Sequence, residues 1–174
     1  MKYTLYHGTK RDAARQILQD KEYNRQYKDI HYLGQGIYFY DKPKKAENWI
    51  RIYYENFGTI LQSIVSVEDG YIFDLRRADH RKKASSIVRK IRDTKVLMKS
   101  DSSDIECMKR KRCFLFDYIS EHEKCKLLIS LVSTNLDLWE LGVPEKGDLQ
   151  YCVKDVSIIK ETSYYRDVPV RQIV

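Results

Sequence analysis

Two runs near the start of the chain carry the clearest strand signal. Tyr3-Thr4-Leu5-Tyr6-His7-Gly8 predicts a strand over about 3–8, and Leu33 to Phe39 predicts a second, with Gly34 and Gly36 at the turn that feeds Tyr38 into it. Between them Ala13, Ala14, Ile17 and Leu18 recur at helical spacing, which predicts a helix over 11–19. Residues 20–32 are polar and tyrosine-rich without period and read as a loop. Pro43 suits the first turn of a helix running to about Asn56, with Ala46, Trp49, Ile50 and Tyr53 on one face. A β-branched run over 59–67 predicts a strand, and Asp69-Gly70 signals a hairpin into Tyr71–Leu75. A helix over about 79–97 turns Ala84, Ile87, Val88 and Ile91 inward; Asp101-Ser102-Ser103-Asp104 ends it and caps another helix through about His122. Lys126 to Val132 fits either a strand or the end of that helix. Residues 134–148 read as an exposed loop, 149–156 as a strand and 161–174 as a polar tail. Interspersed strands and helices with a hairpin make the class α+β, in a single domain over 1–174.

Composition narrows the picture. The chain has 174 residues, 43% hydrophobic and 33% charged, which fits one folded domain rather than a disordered chain. No apolar run approaches the roughly 20 residues of a membrane span, and Met1-Lys2-Tyr3-Thr4-Leu5 lacks a signal peptide's hydrophobic block, so cytoplasmic residence without a membrane partner is expected. Cys107, Cys113, Cys125 and Cys152 show no C-x-x-C spacing, and His122 near Cys125 is the sole approach to a ligand pair; reduced thiols and no metal are expected. From Arg76 to Arg112 there are fourteen Lys and Arg against five Asp and Glu, a local excess of nine in a chain of net charge +7. The whole basic excess sits in one helical insertion, about 76–122.

His7-Gly8-Thr9 followed by Gly34-Gln35-Gly36-Ile37-Tyr38-Phe39 resembles the NAD-binding core of the diphtheria-toxin/PARP-like ADP-ribosyltransferases, labelled by a His–Tyr–Glu triad. Two further segments extend the resemblance. Trp49, in Ala46-Glu47-Asn48-Trp49, falls eleven residues after Tyr38, where the family places a second aromatic against nicotinamide. Leu149-Gln150-Tyr151-Cys152-Val153-Lys154-Asp155 looks like the strand of the third triad position, here Gln150. The resemblance implies two small, mostly antiparallel sheets split around an NAD cleft, with peripheral helices. It implies NAD as a substrate and no further cofactor. His7 would bind a ribose hydroxyl, the Gly8 backbone the carboxamide, and Thr9, Gly36, Tyr38 and Trp49 would complete the NAD site around the catalytic His7, Tyr38 and Gln150.

The chemistry asks for a flat clamp on nicotinamide, fixed ribose hydroxyls and a nucleophile at the exposed face. Aromatic faces suit a cationic ring. Tyr38 is either a wall of that pocket or core packing, with Phe39 and Tyr40 as rivals, and Trp49 faces the same choice. Gln150 departs from the family's Glu: an amide hydrogen-bonds but does not titrate near neutrality. The third partner is therefore Gln150, or else Glu145 or Asp148. Because polymer-forming members carry the Glu, the chain looks like a mono-ADP-ribosyltransferase similar to bacterial toxin–antitoxin and anti-phage toxins, with an antitoxin protein as partner. The basic run, including Lys109, Arg110, Lys111 and Arg112, is either a solvated helix face or a phosphate-tracking surface that favours RNA over protein as acceptor. Tyr23, Tyr27 and Trp139 would border the acceptor. Two other readings remain open: an inactive NAD- or ADP-ribose-binding module with a basic nucleic-acid-binding face, and an NAD glycohydrolase.

Overall fold

The computed structural model describes residues 1–24, 27–28, 30–54, 57–93, 105–132 and 147–169. The alternation of Tyr3, Leu5 and His7 with Thr4, Tyr6 and Gly8 builds β1 (Lys2–Thr9). Helix α1 (Arg11–Asp20) buries Ala14 and Ile17 and ends at Lys21 in the left-handed region, φ 58°. Then come β2 (Ile37–Tyr40), α2 (Pro43–Tyr53), β3 (Gly58–Ser66) and β4 (Ile72–Asp74). The rest is α3 (Ala78–Asp93), α4 (Ile105–His122), β5 (Leu127–Val132), β6 (Asp148–Val153) and β7 (Ile159–Val168).

The strands form one seven-stranded mixed sheet in the order β4-β5-β6-β2-β1-β3-β7, antiparallel except for β4 beside β5. The fold is α+β. The sheet is continuous rather than two separate sheets, but its joint between β1 and β2 is thin. Among the described residues the two strands are matched at Tyr6 opposite Tyr40 alone, whereas β1 runs in register with β3 from Lys2 to Thr9.

One sheet face packs Leu5, Phe39, Leu61, Leu127, Ile129 and Val153 against Ala14 and Ile17 of α1. The other face is divided. Over β4, β5 and β6, helices α3 and α4 bury Ala84, Ile87, Val88, Ile91, Leu115, Phe116 and Ile119 with Leu33, Leu128 and Cys152. Over β1 and β3, α2 buries Ala46 and Ile50 with Tyr40, Ile60 and Val168. Each fully buried Leu or Ile contributes about 1.5–3 kcal/mol. The basic helices are therefore a structural cover of half the sheet, not an appendage.

Two expectations change and one open choice is decided. Asp69-Gly70 opens a short 3-10 turn, Asp69–Tyr71, that carries the chain to the far edge of the sheet; no hairpin forms, because both edges of β3 are taken by β1 and β7. Leu127–Val132 is a strand, central between β4 and β6. The polar tail is in large part β7, an edge strand whose side chains are mostly exposed. Among the described residues no helix is long and apolar enough to cross a membrane, and no group of three His, Cys, Asp or Glu is placed to hold a metal.

Candidate functional site

Where β1 parts from β2, a side chain spans the gap. His7 Nδ1 donates to the Tyr38 carbonyl oxygen at 2.8 Å. A carbonyl only accepts, so Nδ1 carries the proton and Nε2 keeps its lone pair, with no partner among the described residues. Burial lowers the pKa of His7 below its ordinary value, against the opposing pull of the Tyr38 carbonyl. The neutral ring is thus a fixed hydrogen-bond acceptor. It lies edge-on to Tyr23 at 5.3 Å and tilted to Phe39 at 5.6 Å, on the α1 face.

Tyr38 points the other way. Its neighbour Phe39 belongs to the α1-side core while Tyr38 packs against the α3/α4 cluster, as strand alternation requires. The phenol accepts from Leu33 N at 2.7 Å and donates to Gly34 O at 2.7 Å, and burial raises its pKa well above normal. The expectation that the His7 and Tyr38 rings line one NAD crevice is corrected: the rings lie on opposite faces of the sheet, His7 meets the backbone of Tyr38, and the Tyr38 hydroxyl is engaged in holding the turn that precedes β2.

That turn is latched from α4. Asp117 Oδ1 accepts from Gln35 N at 2.6 Å and from Lys154 Nζ at 2.9 Å, and Lys154 also donates to Leu33 O at 2.7 Å. Gly34 has φ 76°, and a Cβ there would stand 2.2 Å from Asp117 Oδ1, so both the conformation and the space require glycine. Gln35 closes the loop behind it, its amide donating to Lys28 O at 2.6 Å. Gly36 lies against β6, where a Cβ would meet Cys152 Sγ at 2.5 Å.

Gln150 is opposite Tyr40 across β2 and β6. Its Nε2 donates to the Tyr40 hydroxyl at 3.2 Å, and its Oε1 is buried without a hydrogen-bond partner among the described residues. Burial pushes Tyr40 up to about 12, only partly offset by the bond from Gln150. On the same face, Tyr40 shares a cluster with Ala46 and Ile50 against which Trp49 packs, half-buried, with Tyr53 at 4.0 Å between ring centres. Gly8 is packed from the α2 side, where a Cβ would meet Ala46 O at 2.5 Å. Thr9 is buried at the end of β1. Lys45 and Asp148 form an ion pair joining α2 to the start of β6.

The residues expected to border an acceptor divide. Tyr23 is a core residue: it is 8% exposed and hydrogen-bonds Ser63 Oγ at 2.9 Å, so it is withdrawn from the acceptor surface. Tyr27 is 75% exposed and, with Lys28, Ile30 and Gln35, lines an open hollow of about 520 Å³; His7, Tyr38 and Gln150 are not among its lining residues. Lys109 and Arg110 are exposed and Lys111 is half-buried. Arg112 lies over the Tyr32 ring at 3.8 Å, and burial lowers its pKa, which commits it to the fold. Trp139 and Glu145 lie outside the described residues. Tyr40, Asp117 and Lys154 carry no sequence signal for the roles they take, since each depends on a partner at least 37 residues away.

Comparison with known proteins adds one relative. The chain is 26% identical to "Uncharacterized protein MJ0359" of Methanocaldococcus jannaschii over 95% of this chain and 88% of that one. No family model matches, and no solved structure matches.

Proposed function

We propose that this chain is a mono-ADP-ribosyltransferase that takes NAD as substrate and transfers ADP-ribose to a macromolecular acceptor, RNA in the first instance. The observation that carries the reading is the parting of β1 from β2 beside Tyr6 and Tyr40, spanned by the bond from His7 to the Tyr38 carbonyl. The two segments whose residues resemble the transferase core are the two that meet there. Gln150 Oε1 is an acceptor with no protein partner among the described residues, and a ribose hydroxyl is what such an acceptor binds; His7 Nε2, on the opposite, α1 face of the sheet, is a separate acceptor. Trp49 on α2 supplies an aromatic face on the same side as Gln150.

The acceptor follows from charge. Exposed Lys82, Lys83, Arg89, Lys90, Lys109 and Arg110 lie on the helices that cover the sheet face holding Gln150. A polyanion tracks such a surface. By the same resemblance the protein would act as a toxin in toxin–antitoxin or phage defence, silenced by an acidic partner protein.

The test is to incubate the protein with adenylate-labelled NAD and total lysate. Label retained on macromolecules and removed by ribonuclease is the expected result. Label removed by protease or deoxyribonuclease moves the acceptor to protein or DNA. Free nicotinamide released with no label retained makes the protein an NAD glycohydrolase. Intact NAD overturns the enzymatic reading and leaves a binding module.

A further inference from the structure

Gln150 poses a physical problem that a glutamate would not. A carboxylate presents an acceptor oxygen whichever way it turns, whereas an amide presents an acceptor on one side and a donor on the other. A ligand hydroxyl is gripped well only if the amide is held with its oxygen free to accept. The structure contains a device that does this. Gln150 is 7% exposed and Tyr40 6%; the amide Nε2 donates to the phenol oxygen at 3.2 Å, leaving Oε1 buried and without a partner among the described residues. The Tyr40 proton likewise has no acceptor among the described residues.

We infer that Tyr40 and Gln150 act together as a hydroxyl-binding pair, in which Tyr40 orients the Gln150 amide and supplies a second hydrogen bond to the bound group. A ligand hydroxyl placed between them accepts from the Tyr40 O–H and donates to Gln150 Oε1, which closes a ring of three hydrogen bonds through Nε2. Such rings reinforce each bond in a low-dielectric site. That the hydroxyl belongs to the ribose of NAD rests on the transferase reading above. Tyr40 is neutral at physiological pH, with its pKa at about 12, so it keeps the proton it donates. The Lys45–Asp148 ion pair lies beside the site, where Asp148 faces Tyr40 from β6, and the Tyr53 hydroxyl faces it from α2.

The experiment compares Tyr40→Phe, Gln150→Glu and the double variant with wild type, by NAD turnover and by the side-chain amide resonances of Gln150. In the wild-type background Tyr40→Phe removes one hydrogen bond and the orientation of another; the expected loss in kcat is about tenfold, with KM changed much less. In the Gln150→Glu background the same substitution costs less than about threefold, because a carboxylate needs no orienting partner. A purely structural role would penalise both backgrounds alike. Separately, NAD added to wild type shifts the Gln150 amide resonances, a measurement that needs no turnover and no variant to fold. If NAD stays intact yet shifts those resonances, the transferase reading fails and the hydroxyl site stands. If NAD turns over and Tyr40→Phe is equally active, or equally impaired in both backgrounds, the pair is refuted and the transferase reading stands.

Discussion

Replacing Asp117 with Asn tests how the turn before β2 is held. Asp117 Oδ1 accepts from both Lys154 Nζ and Gln35 N, and the Lys154 side chain is 9% exposed against 27% for Asp117. Asparagine keeps the shape but removes the charge, so the part-buried Lys154 ammonium loses the Asp117 carboxylate while keeping its bond to Leu33 O. Breaking a fully buried pair in this way costs about 3–5 kcal/mol. Because water reaches Asp117, the expected cost is about 2–3 kcal/mol. For a domain of this size that lowers Tm by about 4–12 °C. Thermal melts followed by circular dichroism measure it, and a cycle with Lys154→Met isolates the pair: the double variant should lose little more than the worse single, a coupling of at least about 1 kcal/mol. An Asp117→Asn melt that overlays wild type would refute the latch, since the charge would then contribute nothing in the place where the structure buries it.

Other outcomes follow from the same geometry. His7 and His31 both have pKa values lowered chiefly by burial, so the unfolded chain takes up protons below the ordinary 6.5 that the folded chain refuses. Stability should therefore fall as pH drops below about 6.5, and His7→Gln should flatten part of that slope in denaturant titrations. Tyr23→Phe removes the hydroxyl bonded to Ser63 and should lower stability by about 1 kcal/mol while leaving NAD turnover and acceptor choice unchanged; a switch of acceptor would return Tyr23 to the surface role. Lys109→Glu with Arg110→Glu should weaken RNA labelling and shallow the salt dependence by about 1–2 in slope, whereas Arg112→Glu should lower Tm, because its guanidinium lies over Tyr32.

Local pattern carried the elements whose faces differ, and failed where both faces are alike. β1, α1 and α2 were legible because Leu5, Ala14, Ile17, Ala46 and Ile50 recur at the period of the element and are buried. β7 was read as a tail because Glu161 and Ser163 to Arg166 are exposed and the strand gains its order by pairing along β3. Asp69-Gly70 is good hairpin chemistry, yet turn residues choose only a local bend; the occupied edges of β3 decided where β4 went. The two glycine-bearing segments were legible as a meeting place, as was Gln150 on a neighbouring strand. Which faces they present was not legible, since the shift from a ladder to an imidazole bridge at His7 follows from how two strands part.

The electrostatics around the split lead to a further expectation about rate. Burial keeps His7 neutral by lowering its pKa, and it raises Tyr38 well above normal, Tyr40 to about 12 and Cys152 to about 11. Gln150 does not titrate at all. Beside this neutral group Lys45 and Asp148 are paired with each other. On the transferase reading proposed above, a dinucleotide would meet neutral groups here, and among the described residues the carboxylate that faces Tyr40, Asp148, is already paired with Lys45. If the transferase reading holds, its chemistry would run through a dissociated, oxocarbenium-like ribose captured by a nucleophile that needs no prior deprotonation, such as a nucleobase amine. The pH–rate profile for wild type should accordingly be flat from about 7 to 9. Gln150→Glu should introduce an acidic limb, displaced upward from the usual carboxylate range because the position is buried. A wild-type profile with a limb near neutrality would place a titrating base at the reacting centre and exclude this mechanism.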